Sequence, residues 1–155
     1  MALDQSFGDH MPNIFLVLNG PNLNLLGTRQ PEIYGSDTLT DVKDMCNSAL
    51  GEAGDLDFRQ SNYEGELVTW IQEAREVCSG ILINPAAYSH TSIAILDALN
   101  MFEGPVVEVH ISDIHQRETF RHFSYVSQRA DHIIVGKGVK GYVEGIQKLL
   151  ELTAD

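Results

Sequence analysis

The stretch IFLVLNGPNLNLLGTRQPEIYG, residues 14–35, decides the fold of this chain. It begins with an apolar, partly β-branched run at residues 14–18, which predicts one buried strand. The next six residues, 19–24, are rich in Asn, Gly and Pro, so the strand ends there at an edge of a sheet. Ligands bind at the carboxyl edge of open α/β sheets. This stretch alone leaves two interpretations open, a binding loop or a surface connector whose Asn residues cap turns.

Segments typical of strands and helices alternate along the rest of the chain. Strands are predicted at residues 55–60, 80–83, 106–110 and 132–135, and helices at 38–53, 64–78, from 89–91 onward, 117–123 and 139–152. This alternation predicts a parallel sheet with helices on both faces. Five such units favour a flavodoxin-like, doubly wound α/β fold with strand order 2-1-3-4-5. In that order Cys46 and Cys78 lie on opposite faces and do not pair.

The overall charge excludes some classes of partner. The 155 residues include 22 acidic and 10 basic side chains, a formal net charge of -12, which argues against nucleic acid or an anionic membrane surface as partner. An anionic small substrate would need locally placed arginines. No apolar stretch approaches the roughly 20 residues of a membrane span.

The chain is expected to form one domain. Residues 1–12 lack the basic start and apolar centre of a signal peptide, so we expect a loose tail there and a single catalytic domain at residues 13–155. Two cysteines suit a reduced, cytoplasmic protein better than a disulfide scaffold.

Polar clusters follow three of the predicted strands. Asn22 follows the first strand, Asn84 and His90 follow the third, and His110 and Ser112 follow the fourth. The predicted order places these three strands side by side, so their carboxyl ends should converge on one cleft. Each cluster alone could be only a turn or a helix cap, but three together predict a site.

Glu108 and His110 are two residues apart on a predicted strand, so both side chains point to the same side. A carboxylate beside an imidazole is the arrangement of an oriented general acid or base. The alternative is a buried ion pair with a purely structural role. A metal site that also uses Asp113 and His115 matches no standard ligand motif.

Arg117 and Arg121 are four residues apart in the predicted fourth helix. On one helical face they would suit an anion or a polyol. A basic face in contact with solvent is the alternative.

Three blocks of sequence together carry a specific resemblance. NGPNLNLLGTRQPEIYG, INPAAYSHTSIAILDAL and PVVEVHISDIHQRETFR closely resemble the type II 3-dehydroquinate dehydratase family, from about residue 13 to the C-terminus. The resemblance implies dehydration of 3-dehydroquinate to 3-dehydroshikimate without a metal or an organic cofactor. It also implies a homododecamer built from trimers, and the reaction serves either the shikimate or the quinate pathway.

The same resemblance implies the catalytic roles. Tyr34 is similar to the base that removes a proton from C2 of the substrate, and Arg29 to the residue that lowers its pKa. Asn22 resembles the residue that holds a water against the developing enolate. His110 resembles the acid that protonates the departing C1 hydroxyl, oriented by Glu108.

Six further positions resemble residues that bind substrate: Asn84, His90, Asp97, Ile111, Ser112 and Arg121. Asn84 is expected to assist the acid, and Asp97 to reach the site of a neighbouring subunit. His90 and Arg121 are expected to contact ring hydroxyls. Ile111 and Ser112 are expected to hold the carboxylate, partly through backbone N–H groups.

Two rival classes share the predicted fold but lack support in the sequence. A phospho-receiver domain would use Lys137 and needs acidic residues where this chain has Asn22 and Asn84. A flavin or nucleotide binder needs a Ser/Thr/Gly-rich phosphate loop after the first strand, and residues 21–25 are not of that kind.

Overall fold

A five-stranded parallel sheet forms the centre of the structure, a computed structural model that describes residues 13–28 and 31–154 apart from the side chains of Ile33 and Tyr34. The strands are β1 (Ile14–Asn19), β2 (Asp55–Gln60), β3 (Gly80–Asn84), β4 (Val106–His110) and β5 (His132–Val135). Their order is β2-β1-β3-β4-β5 and every pair is parallel. The predicted fold class and strand order are therefore confirmed.

Helices cover both faces of this sheet. They are α1 (Leu39–Leu50), α2 (Glu64–Val77), α3 (Ile93–Asn100) and α4 (Lys140–Thr153), preceded by a single helical turn at Pro31–Tyr34. Apolar side chains of α1 and α4 pack on one face, and those of α2 and α3 pack on the other. Cys46 is buried in the first of these cores and Cys78 packs against the second, so the two thiols are free, as predicted.

The first helix begins where predicted but ends earlier. The Thr38 side chain accepts from the backbone N–H of Asp41, and the Asp41 side chain accepts from the Thr38 backbone, which forms a complete capping box. The helix stops at Leu50 because Gly51 adopts a left-handed φ of 53°. The predicted end at residue 53 is therefore wrong.

The predicted helix at residues 117–123 is also wrong. One short 3₁₀ turn, Ile114–Gln116, ends just before this region and another, Thr119–Arg121, lies within it, and the backbone is extended at Arg117 and Glu118 between them. Seven residues offer little to offset the cost of nucleating a helix. The third helix differs less from its prediction: α3 begins at Ile93 instead of residues 89–91, after a 3₁₀ turn at Ala86–His90.

The carboxyl edge of the sheet is closely packed between β1 and β3. Asn19 pairs with Asn84 at the last position of this ladder, and the Gly20 N–H donates to the Asn84 carbonyl over 2.8 Å. A Cβ atom at Gly20 would lie 2.3 Å from the Pro85 carbonyl oxygen, so this approach requires glycine.

Within the described ranges, no helix is long and apolar enough to cross a membrane.

Candidate active site

A cleft of about 510 Å³, including the solvent space at its mouth, opens at the carboxyl ends of β1, β3 and β4. Seven residues that the sequence predicts for the site line it: Asn22, Asn84, His90, His110, Ile111, Ser112 and Arg121. The three clusters that follow these strands therefore meet in one place, as expected from the parallel order.

Of the four other predicted residues, the structure describes the side chains of only two, Glu108 and Asp97, and neither of these lines the cleft. Glu108 lies behind His110 and is fully buried. Asp97 is exposed on α3 and is not among the lining residues. Arg29 lies outside the described residues, and of Tyr34 the structure describes only the backbone, at the end of the turn Pro31–Tyr34.

A short hydrogen bond joins Glu108 to His110. The two side chains lie on the same side of β4, as their spacing predicts, and His110 Nε2 is 2.6 Å from Glu108 Oε2. Glu108 is 0% exposed and His110 only 4%. Since the carboxylate accepts the Nε2 proton, the pair fixes both the orientation of the ring and the position of one proton.

Two serine hydroxyls also donate to Glu108. Ser124 Oγ lies 2.6 Å from Oε2, and Ser127 Oγ lies 2.6 Å from Oε1. Burial acts to raise the pKa of Glu108, but the hydrogen bonds from His110, Ser124 and Ser127 outweigh it and hold this pKa below its ordinary value. We call these four residues the Glu108 cluster, and its carboxylate is ionised at neutral pH.

His90 lies on the 3₁₀ turn beside this cluster. Its Nδ1 donates to the Phe123 carbonyl oxygen over 2.8 Å, and its ring stacks on that of His110 with 6.5 Å between the centroids. Burial lowers the pKa of His90 and outweighs the opposite effect of the hydrogen bond to Phe123, while the charge of Arg121 acts in the same direction as burial. A neutral imidazole with its proton on Nδ1 leaves Nε2 as an acceptor for a hydroxyl group.

A chain of neutral polar groups fixes Asn84. The Tyr142 hydroxyl donates to Asn19 Oδ1 over 2.7 Å and accepts from Asn84 Nδ2 over 2.9 Å. Asn84 Oδ1 accepts from the Ala86 backbone N–H at 3.1 Å. Because the single phenol proton is used on Asn19, only the NH₂ end of Asn84 can face Tyr142, and this sets the orientation of the amide. We call Asn19, Tyr142 and Asn84 the Tyr142 chain.

Asn22 also lines the cleft, in a left-handed conformation with φ 71°. Its backbone N–H donates to Asn62 Oδ1 over 2.9 Å, and the Asn62 side chain in turn accepts from Gln60 Nε2 over 3.1 Å. Asparagine tolerates this backbone region better than most residues. The backbone contact therefore leaves the exposed Asn22 amide available to the cleft.

Two guanidinium groups lie at the cleft. Arg117 and Arg121 both line it, although the helix predicted to carry them does not form. Glu118 accepts from Arg121 Nε over 2.8 Å and lies 4.0 Å from Arg117 Nε. A guanidinium can bind a carboxylate through paired hydrogen bonds, so this part of an acidic chain suits an anionic ligand.

The four residues considered as metal ligands, Glu108, His110, Asp113 and His115, form two separate pairs. Glu108 pairs with His110, whereas His115 Nδ1 lies 3.3 Å from Asp113 Oδ1 in a separate pair. Among residues 13–28 and 31–154, no group of three or more His, Cys, Asp or Glu side chains could hold a metal ion.

Sequence reasoning missed Ser124, Ser127 and Tyr142. The two serines lie in a segment without periodicity, so no pattern indicated that they reach Glu108. Tyr142 is completely buried in α4, where an aromatic residue suggests only apolar packing. A weak signal existed, since a buried tyrosine hydroxyl usually has a hydrogen-bond partner.

Known proteins resemble this chain over nearly its whole length. The sequence model of the family described as Dehydroquinase class II matches residues 13–150. A protein named 3-dehydroquinate dehydratase from Streptomyces coelicolor is 68% identical over 139 residues, which is 88% of either chain. A 3-dehydroquinate dehydratase 2 from Agrobacterium fabrum is 59% identical over 141 residues, covering 90% of this chain and 96% of the relative.

Solved structures agree with these sequence matches. The crystal structure of type II dehydroquinase from Propionibacterium acnes has a TM-score of 0.87 and 43% sequence identity, covering 92% of this chain and 99% of that one. A second type II dehydroquinase, from Butyrivibrio crossotus, has a TM-score of 0.86 and 42% identity, covering 89% of this chain and 97% of that one. The chain therefore belongs to the class II dehydroquinase family.

Proposed function

We propose that this protein is a hydro-lyase that removes water from 3-dehydroquinate to give 3-dehydroshikimate, in the shikimate or quinate pathway. The names of its close relatives support this activity. The observation that carries it is the Glu108–His110 pair, because a buried carboxylate holds an imidazole at the surface of a cleft with basic side chains. Elimination next to a ketone needs a base, an acid and a group that stabilises the enolate, and each has a candidate here.

His110 is the acid in this proposal. It gives a proton to the C1 hydroxyl oxygen as the C1–O bond breaks, and the electrons of the enolate form the new C=C bond. Glu108 keeps the ring oriented and stabilises its protonated form. Asn84, held by Tyr142, assists His110 from the adjacent strand.

The base is Tyr34, and Arg29 lowers its pKa. A free tyrosine has a pKa of about 10, so only about one phenol in a thousand is ionised at neutral pH. A guanidinium within a few ångströms favours the phenolate strongly. Asn22 holds a water against the developing enolate, and its exposed amide on the cleft wall supports this role.

The remaining polar groups bind the substrate. His90 and Arg121 contact ring hydroxyls, and the neutral Nε2 expected for His90 can accept from one of them. Ile111 and Ser112 hold the carboxylate, partly through backbone N–H groups. Their carbonyls accept from Gly138 and Gly136 over 3.0 and 3.2 Å, which holds the backbone in place at this edge.

The active form is a homododecamer built from trimers, located in the cytoplasm. Asp97 is exposed on α3 and is not a lining residue of its own cleft, which suits a side chain that reaches a neighbouring subunit. Light scattering should therefore show a closed oligomer, and a fully active monomer would contradict this assignment.

An imine mechanism is an unsuitable alternative because it needs a lysine in the site. Lys43, Lys137, Lys140 and Lys148 all lie outside the residues that line the cleft. The acid–base mechanism uses residues that are present there.

An ultraviolet assay for the conjugated enone product tests the proposal. Adding 3-dehydroquinate to the purified protein should produce this absorbance, and Tyr34→Phe should nearly abolish it. Tyr63→Phe is the matched control, since Tyr63 is 74% exposed and outside the cleft. No product from the wild-type protein would refute the function, and near-normal kcat for Tyr34→Phe would place the base elsewhere.

A further inference from the structure

Residues 123–127, which we call the brace segment, bind His90 directly and Glu108, the partner of His110. The Phe123 carbonyl accepts from His90 Nδ1 over 2.8 Å. Two residues of the segment, Ser124 and Ser127, donate to opposite oxygens of Glu108, each over 2.6 Å. Three residues of this short segment therefore hold two side chains, His90 and Glu108, through three hydrogen bonds.

The brace segment is itself firmly anchored. Its Tyr125 N–H donates to the Ser89 carbonyl over 2.8 Å, and Val126 is fully buried in the core beneath α2 and α3. Arg129, two residues beyond, donates to the carbonyls of Leu99, Phe102 and Gly104. The serine hydroxyls are thus presented from a fixed backbone.

The two hydroxyls restrict what the Glu108 carboxylate can do. Each carboxylate oxygen has a serine donor, so rotation of the group would break at least one short hydrogen bond. The lone pair that faces His110 Nε2 is then fixed in direction. Donors on both oxygens also favour the ionised form over the protonated one.

We propose that Ser124 and Ser127 are positioning residues for the dehydration, acting through Glu108 on His110. This inference rests on the proposed function, in which His110 is the acid. Neither serine is among the residues that line the cleft. Together they keep the carboxylate ionised and aligned, so that His110 keeps one orientation throughout the cycle.

The first test is Ser127→Ala, because Ser127 is only half-buried and the change should leave folding intact. We expect kcat to fall about tenfold with little change in KM, the size of effect seen for outer hydrogen-bond partners of other functional histidines. Ser127→Thr keeps the hydroxyl and should restore most of the activity. Ser124→Ala, at a buried position, should cause a loss of the same kind.

The pH profile separates positioning from mere stability. Losing a donor to the carboxylate raises the pKa of Glu108, so the acidic limb of the kcat profile should move to higher pH in Ser124→Ala and Ser127→Ala. In a Glu108→Gln background the same serine changes should lower kcat little further, because the group through which they act is gone.

Ser61→Ala is the matched control. Ser61 is also a buried serine that donates to a glutamate, Glu66, but neither residue lines the cleft. This variant should lose stability while its acidic limb stays at the wild-type position.

Two outcomes would overturn different statements. If the wild-type protein is active and both Glu108-linked serine variants behave like Ser61→Ala, the serines are structural and this inference is wrong. If the wild-type protein forms no enone from 3-dehydroquinate, the proposed function itself fails.

Discussion

The Tyr142 chain and the Glu108 cluster are both buried at the same edge of the sheet, but they differ in charge. The Tyr142 chain contains two amides and a phenol whose pKa is raised by burial, so it stays neutral. The Glu108 cluster contains an ionised carboxylate bonded to an imidazole and two hydroxyls. The difference separates two tasks, since neutral bonds can fix geometry at any pH, whereas proton transfer needs groups that ionise.

The two groups also differ in what they connect. The Tyr142 chain joins the ends of β1 and β3 to α4, with the Tyr142 and Asn19 side chains 123 residues apart in sequence. The Glu108 cluster joins β4 to the brace segment, and its members are at most 19 residues apart in sequence. We therefore expect changes in the first to act mainly on stability, and changes in the second to act mainly on turnover.

Among changes in these two groups, His110→Ala should have the largest effect. General acid catalysis contributes about 10²–10⁴ in rate, and protonation of a leaving hydroxyl matters mainly in the transition state. The enone assay should thus show a fall of this size in kcat with KM little changed. His115→Ala, at a histidine whose side chain is 61% exposed, should behave as wild type. An unchanged kcat with a raised KM would make His110 a binding residue only.

Glu108→Gln should reduce kcat less, on the order of 10- to 100-fold, as for other groups that orient a functional histidine. A carboxamide offers one oxygen where three donors converge, so at least one of these bonds is lost. Glu144→Gln, on a glutamate that pairs with Lys137 at the surface, is the control and should leave kcat unchanged. A loss as large as that of His110→Ala would show that the carboxylate does more than orient the ring.

Tyr142→Phe should affect stability more than chemistry. It leaves Asn19 Oδ1 and Asn84 Nδ2 without their shared partner, and a buried polar group left unpaired costs about 1–3 kcal/mol. Urea unfolding at fixed protein concentration measures the loss, with the exposed Tyr63→Phe as control. If Tyr142→Phe lowered kcat as much as Glu108→Gln and left stability unchanged, the assignment of stability to one group and turnover to the other would be wrong.

The smallest effect concerns the pH dependence of stability. Because the pKa of folded Glu108 is lowered, its contribution is present above the unfolded carboxyl pKa of about 4.3 and is lost as pH falls through the lower folded value. The stability difference between wild type and Glu108→Gln should therefore shrink as the pH falls below about 4.3. The difference between wild type and Tyr142→Phe should stay constant over the same range. If the stability losses of the two variants depended on pH in the same way, the contrast in charge between the two groups would be wrong.

The sequence predicted the sheet well because four of its strands are short, mainly apolar runs that end at Asn, Gly, Pro or His, and the fifth, β2, alternates polar and apolar residues. Those polar endings also located Asn84 and His110 correctly, since parallel strands bring their carboxyl ends together. The spacing of Glu108 and His110 predicted their contact because alternate residues of a strand share a side.

Contacts made by irregular backbone could not be predicted in this way. Ser124 and Ser127 approach Glu108 from a segment whose path depends on the packing of Val126 and on the hydrogen bonds of Arg129. The failed helix at residues 117–123 has the same origin, because tertiary contacts determined a short segment with weak local preference. Arg29 and the Tyr34 side chain lie outside the described residues, so their predicted roles stay predictions.

The position of Tyr142 in α4 has a consequence for how the chain matures during synthesis. A nascent chain emerges from its N-terminus, so Asn19 and Asn84 leave the ribosome well before the helix that carries their shared hydroxyl. Until α4 packs onto the sheet, one face of the central strands also lacks the apolar cover of Tyr142, Ile146 and Leu149, so the strand ends that carry the site are not held in place. A working site should therefore appear late and in one step, when the final helix docks, and incomplete chains should have no partial activity.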